Sequence, residues 1–386
     1  MRALNGLALS LLLGWTSPTW ADTRPLDLPQ VLNGYSDLVQ LGYKDTLDAA
    51  VALQNRINEF LKTPSAEGLE AARVAWKQAR EYYGQTEAFR FYGGPIDGEN
   101  GPEGRMNAWP MDESYVDYVQ GKPNAGLINN PRFTINRAAL VRSNERGGEE
   151  NVATGWHAIE FLLWGQDLRA DGAGDRPHTD YIKGQGNNAE RRARYLKEVT
   201  ALLVADLTAL HQAWQPERRN NYRQSFVRGG RESLRKILIG LGALSRGELA
   251  GERLEVAMFS QDQEDEQSCF SDNTHRDAVS DALGMLNVWT GHYRTRSGQA
   301  VTVPAVSSLL AAVNPALEAQ VRSTMEESVA LASAIQAPFD QQIIGDPEGP
   351  GPQSIKRLIN NLTRQSDLVV DAARALGIEQ LNLSQP

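Results

Sequence analysis

The chain carries one cysteine, Cys269, so an intramolecular disulfide is excluded. At 386 residues it needs no such staple, because a chain of this length buries a sizeable core. Histidine is almost as scarce: His157, His178, His211, His275 and His292 are the full set. No His-Glu-x-x-His occurs, which removes the usual pairing of zinc proteases. Gly-x-Ser-x-Gly, a P-loop, a Gly-x-Gly-x-x-Gly opening a βαβ unit and a Cys-x-x-Cys-His haem attachment site are also absent. The basic residues form no stripe and the formal net charge is −9, which argues against nucleic acid as a partner. Past the N-terminus no apolar run is long enough to span a bilayer, so no transmembrane span is expected in the mature chain.

The N-terminus itself reads as a signal peptide over residues 1–21. Arg2 is the basic start, Leu4 to Trp15 the apolar stretch, and Thr19-Trp20-Ala21 a small-x-small cleavage site. The mature chain is expected to begin at Asp22 and to reach the periplasm, with outer-membrane association left open. No cysteine stands at the cleavage site to take a lipid anchor.

Beyond that point the periodicity is helical. Leu47, Ala50, Val51, Ile57 and Leu61 follow 3-and-4 spacing until Pro64, and Ser65 is placed to cap a second helix carrying Leu69, Ala72, Trp76, Ala79 and Tyr83. Residues 92–110 are rich in Gly and Pro and read as a long connection, with short helices expected at 112–120 and 132–142. Further apolar stripes run over 196–214, 234–241, 279–289, 305–337 and 353–376. A brief strand is expected at 300–303. The pattern predicts an all-α fold of two helical-bundle domains, 22–180 and 181–386.

The densest tension lies in Thr154 to Trp164. This stretch is apolar all round, which marks a buried helix. His157 and Glu160 sit inside it three residues apart, on one face. Buried ionisable groups are costly unless paired, hydrogen-bonded or bound to metal. The pair therefore either satisfies itself or supplies two converging ligands. Gly155 beside it admits another backbone or a ligand. A second cluster, Asp272 with His275, follows the acidic run Asp262 to Glu266. There the competing readings are an N-cap with a first-turn histidine and a solvated face. Glu87 and Arg90 form a third pair, an ordinary surface pair or part of a site. Arg80 or Arg90 is placed to hold an anion.

Gly155-Trp156-His157-Ala158-Ile159-Glu160 matches the Gly-x-His-x-x-Glu motif of the imelysin-like proteins, also classed as M75 peptidases. The chain resembles that family further at Trp76 to Arg80, Thr86 to Arg90 and Ser271 to His275, and the resemblance spans roughly residues 33–378. It implies two helical bundles with a site at their interface near the His-x-x-Glu pair, and a role in bacterial iron acquisition at the cell envelope. His157 and Glu160 match the motif directly. Glu87, Asp272 and His275 are added as metal ligands from local chemistry, with Arg80, Arg90 and Gly155 as ligand-binding residues. Three functions remain open: capture of iron or an iron chelate for envelope transport partners, a zinc metallopeptidase, and a non-metal binding module.

Overall fold

The computed structural model describes residues 27–169 and 171–383. The expected signal peptide, 1–21, lies outside them. The chain is all-α, as the periodicity implies. Asp27 and Gln30 form a reciprocal capping box that starts the helix Leu28–Lys62. Ser65 Oγ accepts from the Gly68 amide at 3.1 Å and starts Ala66–Thr86. Strand structure among the described residues is one hairpin, His292–Arg294 antiparallel to Ala300–Thr302. The stripe expected over 305–337 is two helices, Val306–Val313 and Pro315–Ser333. Asn314 breaks it: its side chain accepts from the Leu317 amide at 3.1 Å, and Pro315 cannot continue the preceding helix. No helix among the described residues is long and apolar enough to cross a membrane.

Two sets of helices build the core. Leu28–Lys62 packs against Ala66–Thr86 and Ala189–Trp214, and Gly155–Trp164 packs against the latter two. Ala189–Trp214 follows the expected domain boundary at 180, yet it packs with helices that precede it. The second set comprises Arg231–Ala243, its continuation Leu244–Glu255 with π-helical bonding, Thr274–Thr290, Pro315–Ser333 and Pro350–Ala375.

The sets meet where Ala66–Thr86 crosses Thr274–Thr290. Two glycines make the crossing close. A Cβ on Gly84 would stand 2.6 Å from Ser280 Cβ, and one on Gly284 would stand 2.4 Å from the Gln85 carbonyl oxygen. Gly284→Ala therefore pushes two backbones apart, with an expected loss of about 1–3 kcal/mol. Urea unfolding would read this as a lower midpoint; an unchanged midpoint would show that the helices separate freely.

Candidate functional site

Every residue of Gly155–Trp164 is buried. The helix can begin where it does because Gly155 takes φ +88, and a Cβ there would stand 2.4 Å from the Met106 carbonyl oxygen. The space at Gly155 is thus filled by the 105–106 backbone. Thr154 Oγ1 donates to the Arg105 carbonyl at 2.8 Å, and Trp76 Nε1 donates to the Trp156 carbonyl at 3.1 Å. These contacts fix the height and rotation of the helix, and hence where His157 points.

His157 Nδ1 lies 2.8 Å from Glu160 Oε2. Glu160 Oε1 accepts from the Ser271 amide at 3.0 Å and from Ser271 Oγ at 2.6 Å. Both carboxylate oxygens of Glu160 are therefore engaged. His157 Nε2, by contrast, is buried without a hydrogen-bond partner. The imidazole borders a narrow cleft of about 10 Å³, lined also by Trp109, Met111, Glu264, Glu266 and Cys269. That is room for about one water-sized occupant. Burial pushes the His157 imidazole well below its usual pKa, and the Arg80 charge adds to this. Burial pushes the Glu160 carboxyl up to about 8, against the opposing bonds from Ser271. The imidazole is thus neutral at pH 7, and the pair holds a proton that it can release.

The turn that seats Glu160 is itself anchored. Ser268 Oγ donates to Asp277 Oδ2 at 2.5 Å, and the Ser268 amide donates to Thr274 Oγ1 at 3.1 Å. Asp277 pairs with Arg80 through Nε at 3.1 Å and Nη2 at 3.0 Å. Arg80 Nη1 donates to Asn107 Oδ1 at 2.6 Å, and the guanidinium lies 5.2 to 5.8 Å from the ring centroids of Trp76, Tyr83 and Trp156. Arg80 is thus fully occupied inside the protein, with no donor turned to an external anion.

The other expected residues fall elsewhere. Glu87 Oε2 accepts from Arg90 and from Arg253, each at 2.5 Å. Arg253 also pairs with Asp281 at 2.7 Å, and Arg90 with Glu103 at 2.9 Å. Against burial, Arg90 and Arg253 hold the Glu87 carboxyl down at about 2. Glu87 and Arg90 belong to this internal ion network and do not line the His157 cleft. His275, half-buried in the first turn of Thr274–Thr290 with Nδ1 unpartnered, does not line it either. The 271–275 segment does reach Glu160, but through Ser271. Asp272, in the left-handed region at φ +54, faces other carboxylates instead.

Sequence reasoning passed over Glu264, Glu266, Ser271 and Asp277. The acidic run Asp262 to Glu266 reads as a solvated face, yet Glu266 is buried and lines the cleft. Its neighbours Cys269 and Phe270 were the available signal that the run dives inward. Ser271 and Asp277 lie more than 100 residues from the groups they hold, and no local pattern announces such pairings. Among the described residues, no three His, Cys, Asp or Glu side chains converge closely enough to clasp a metal ion as they stand.

The family model described as Imelysin, of the M75 peptidase class, matches residues 39–369. Iron-regulated protein A of Synechococcus elongatus is 28% identical over 293 residues, covering 74% of this chain and 69% of that protein. Two crystal structures share the fold at 16% identity. One, described as an iron-regulated protein A precursor from Parabacteroides distasonis, superposes with a TM-score of 0.70 over 92% of this chain and 97% of its own. The other, an imelysin-like protein from Psychrobacter arcticum, gives 0.64 over 91% and 94%.

Proposed function

The chain belongs to the imelysin family, and from that membership we propose that it captures iron as cargo at the His157 cleft, in an exported step of iron uptake. The observation that carries this is the buried, unpartnered Nε2 of His157, whose other ring nitrogen is locked by Glu160. A histidine ligand characteristically has its second nitrogen held by a carboxylate, which fixes both tautomer and ring orientation. Glu160, with both oxygens engaged, acts as that positioning group and not as a ligand. The carboxylates of Glu264 and Glu266 border the same cleft and supply oxygen donors. Iron accepts mixed imidazole and carboxylate ligands. The name of the Synechococcus relative supports iron as the ion. The N-terminal signal pattern and the word precursor in the description of the Parabacteroides protein support export to the periplasm. From there the ion passes to transport partners in the envelope. A peptidase would need a free general base beside the ion, and Glu160 is already occupied.

Glu160→Gln tests the reading. The Gln amide can keep its oxygen on Ser271, but its NH₂ then donates to Nδ1. The protonated carboxyl does the same at neutral pH, leaving the imidazole proton on Nε2, but unlike the carboxyl the amide cannot give up its proton, so Nε2 stays protonated and closed to an ion. Ferrous ion affinity is expected to fall by about 10–100-fold, measured by equilibrium dialysis. Unchanged affinity would mean that Nε2 is not a ligand.

Affinity should also depend on pH. The ion competes with the proton that the His157–Glu160 pair holds, and the carboxyl titrates at about 8. Affinity therefore rises at least about tenfold per pH unit below 8, and more steeply below about 7, where the Glu264 carboxyl also holds a proton that the ion must displace. A flat profile between pH 6 and 8 would contradict this.

A further inference from the structure

Large apolar side chains stand exposed around the acidic turn that borders the His157 cleft. Phe259 is 90% exposed, the most of any large apolar residue among those described. Val256, three residues earlier on the short helix Val256–Ser260, shares its face. Ile344, more than half exposed, joins them: Val256–Ser260 packs against Asp340–Ile343, and the Gln261 side chain donates to the Gly345 carbonyl at 2.9 Å. Leu168 is also more than half exposed, on the other side of the turn, where the Gln263 side chain donates to the Asp167 carbonyl at 2.6 Å. An apolar patch inside a polar rim marks a face that another molecule covers.

Beside Phe259 runs a groove of about 450 Å³, walled by Met258, Pro347 and Pro352. That volume lies in the range of ligand clefts. Its rim is acidic. Glu255 and Glu348 line it against one lining cation, Lys356, and Asp262, Glu264, Asp265 and Asp346 follow in the adjoining segments. None of these six carboxylates is ion-paired among the described residues. The crowding is felt at Glu264, whose carboxyl is pushed up to about 7 by burial and by the charges of Glu113, Asp262, Asp167 and Asp265. A cation brought from outside relieves that repulsion.

The rim decides what covers the patch. A second copy of the chain would set the same acids against one another, and an anionic membrane surface is repelled in the same way. We propose that the Phe259 groove docks a partner protein through an apolar segment flanked by lysine or arginine. The apolar side chains enter the groove, where the flexible Met258 thioether adapts to their shape. The basic ones meet Glu255, Glu348 and the 262–265 turn. Through Glu264 that turn also borders the His157 cleft, so the docked partner stands at the wall of the ion site. Its use as the face that hands over the ion rests on the iron reading; the docking itself does not.

The probe is a short fluorescent peptide of leucine and lysine, with the leucines at 3-and-4 spacing, titrated with the mature protein without iron and read by anisotropy. Micromolar affinity at low salt is expected, falling steeply as salt screens the rim. Phe259→Ala should weaken it by at least about tenfold, as loss of a central anchor does. The double charge reversal Glu255→Lys, Glu348→Lys should weaken it as much. All three positions are exposed, so circular dichroism should stay unchanged. Val313→Ser, at an exposed apolar position outside the groove, should bind like its parent, and so should His157→Ala. No binding by the parent, unchanged affinity in Phe259→Ala, or equal binding of the same peptide with glutamate for lysine would overturn the proposal. So would Phe259-dependent binding to phosphatidylglycerol vesicles, which would make the face a membrane contact, or a Phe259-dependent dimer in sedimentation. Loss of iron binding with docking intact would sink the iron reading and the handover role alone.

Discussion

Replacing His157 by alanine removes iron binding, with an affinity loss above about 100-fold, more than the loss of a positioning group brings. No second imidazole lines the cleft to take over: His275 lies outside it. The fold survives the change. Glu160 keeps its amide and hydroxyl bonds from Ser271, and the carboxyl, already raised to about 8 by burial, stays protonated at neutral pH. The cavity left by the ring lowers stability by a few kcal/mol at most. Equilibrium dialysis with ferrous ion, beside circular dichroism of the same samples, checks both halves. A helical His157→Ala protein that binds iron as tightly as its parent would refute the role given to Nε2.

The second large effect is on stability. Asp277→Ala leaves the Arg80 guanidinium buried at 1% exposure without its counter-ion. Removing one partner of a buried pair typically costs about 3–5 kcal/mol, because the other charge is stranded. Here the loss spreads further, since Asp277 also accepts from Ser268 in the turn that seats Glu160. The double variant Arg80→Met, Asp277→Ala strands no charge, so it should lose less than the sum of the two single variants. Urea unfolding of the four proteins closes the cycle. Additive losses would show that the pair is not coupled and that Arg80 is held by Asn107 and its aromatic neighbours.

The helical framework was legible because its signals are local. Ser65 behind Pro64 and the 3-and-4 spacing to Tyr83 each act within a turn or two, and each appears where expected. The break at Asn314-Pro315 was equally local, but a continuous apolar stripe masked it. Nothing in the spacing announced the π-helical bonding of Leu244–Glu255. At the site, the His157–Glu160 contact was legible from i, i+3 geometry within one helix. Its surroundings were not. Glu87 with Arg90 reads as a surface pair or part of a site because Arg253, which also holds Glu87, lies 166 positions away. Glu266 looked solvated because its fate depends on how a short 3₁₀ turn, Gln263–Asp265, rotates it inward. Pairings between distant segments are set by the packing of whole helices, which composition and periodicity do not encode.

The central claim is that His157 and Glu160 act together to hold an ion in exchange for a proton. Isothermal titration of the protein with ferrous ion, under anaerobic conditions at pH 7 in buffers of different ionisation enthalpy, measures that exchange directly. One binding event is expected, with at least about one proton released per ion at pH 7 and fewer as the pH rises past 8, and no event in His157→Ala. Binding without proton release at pH 7, or release that persists in His157→Ala, would contradict it.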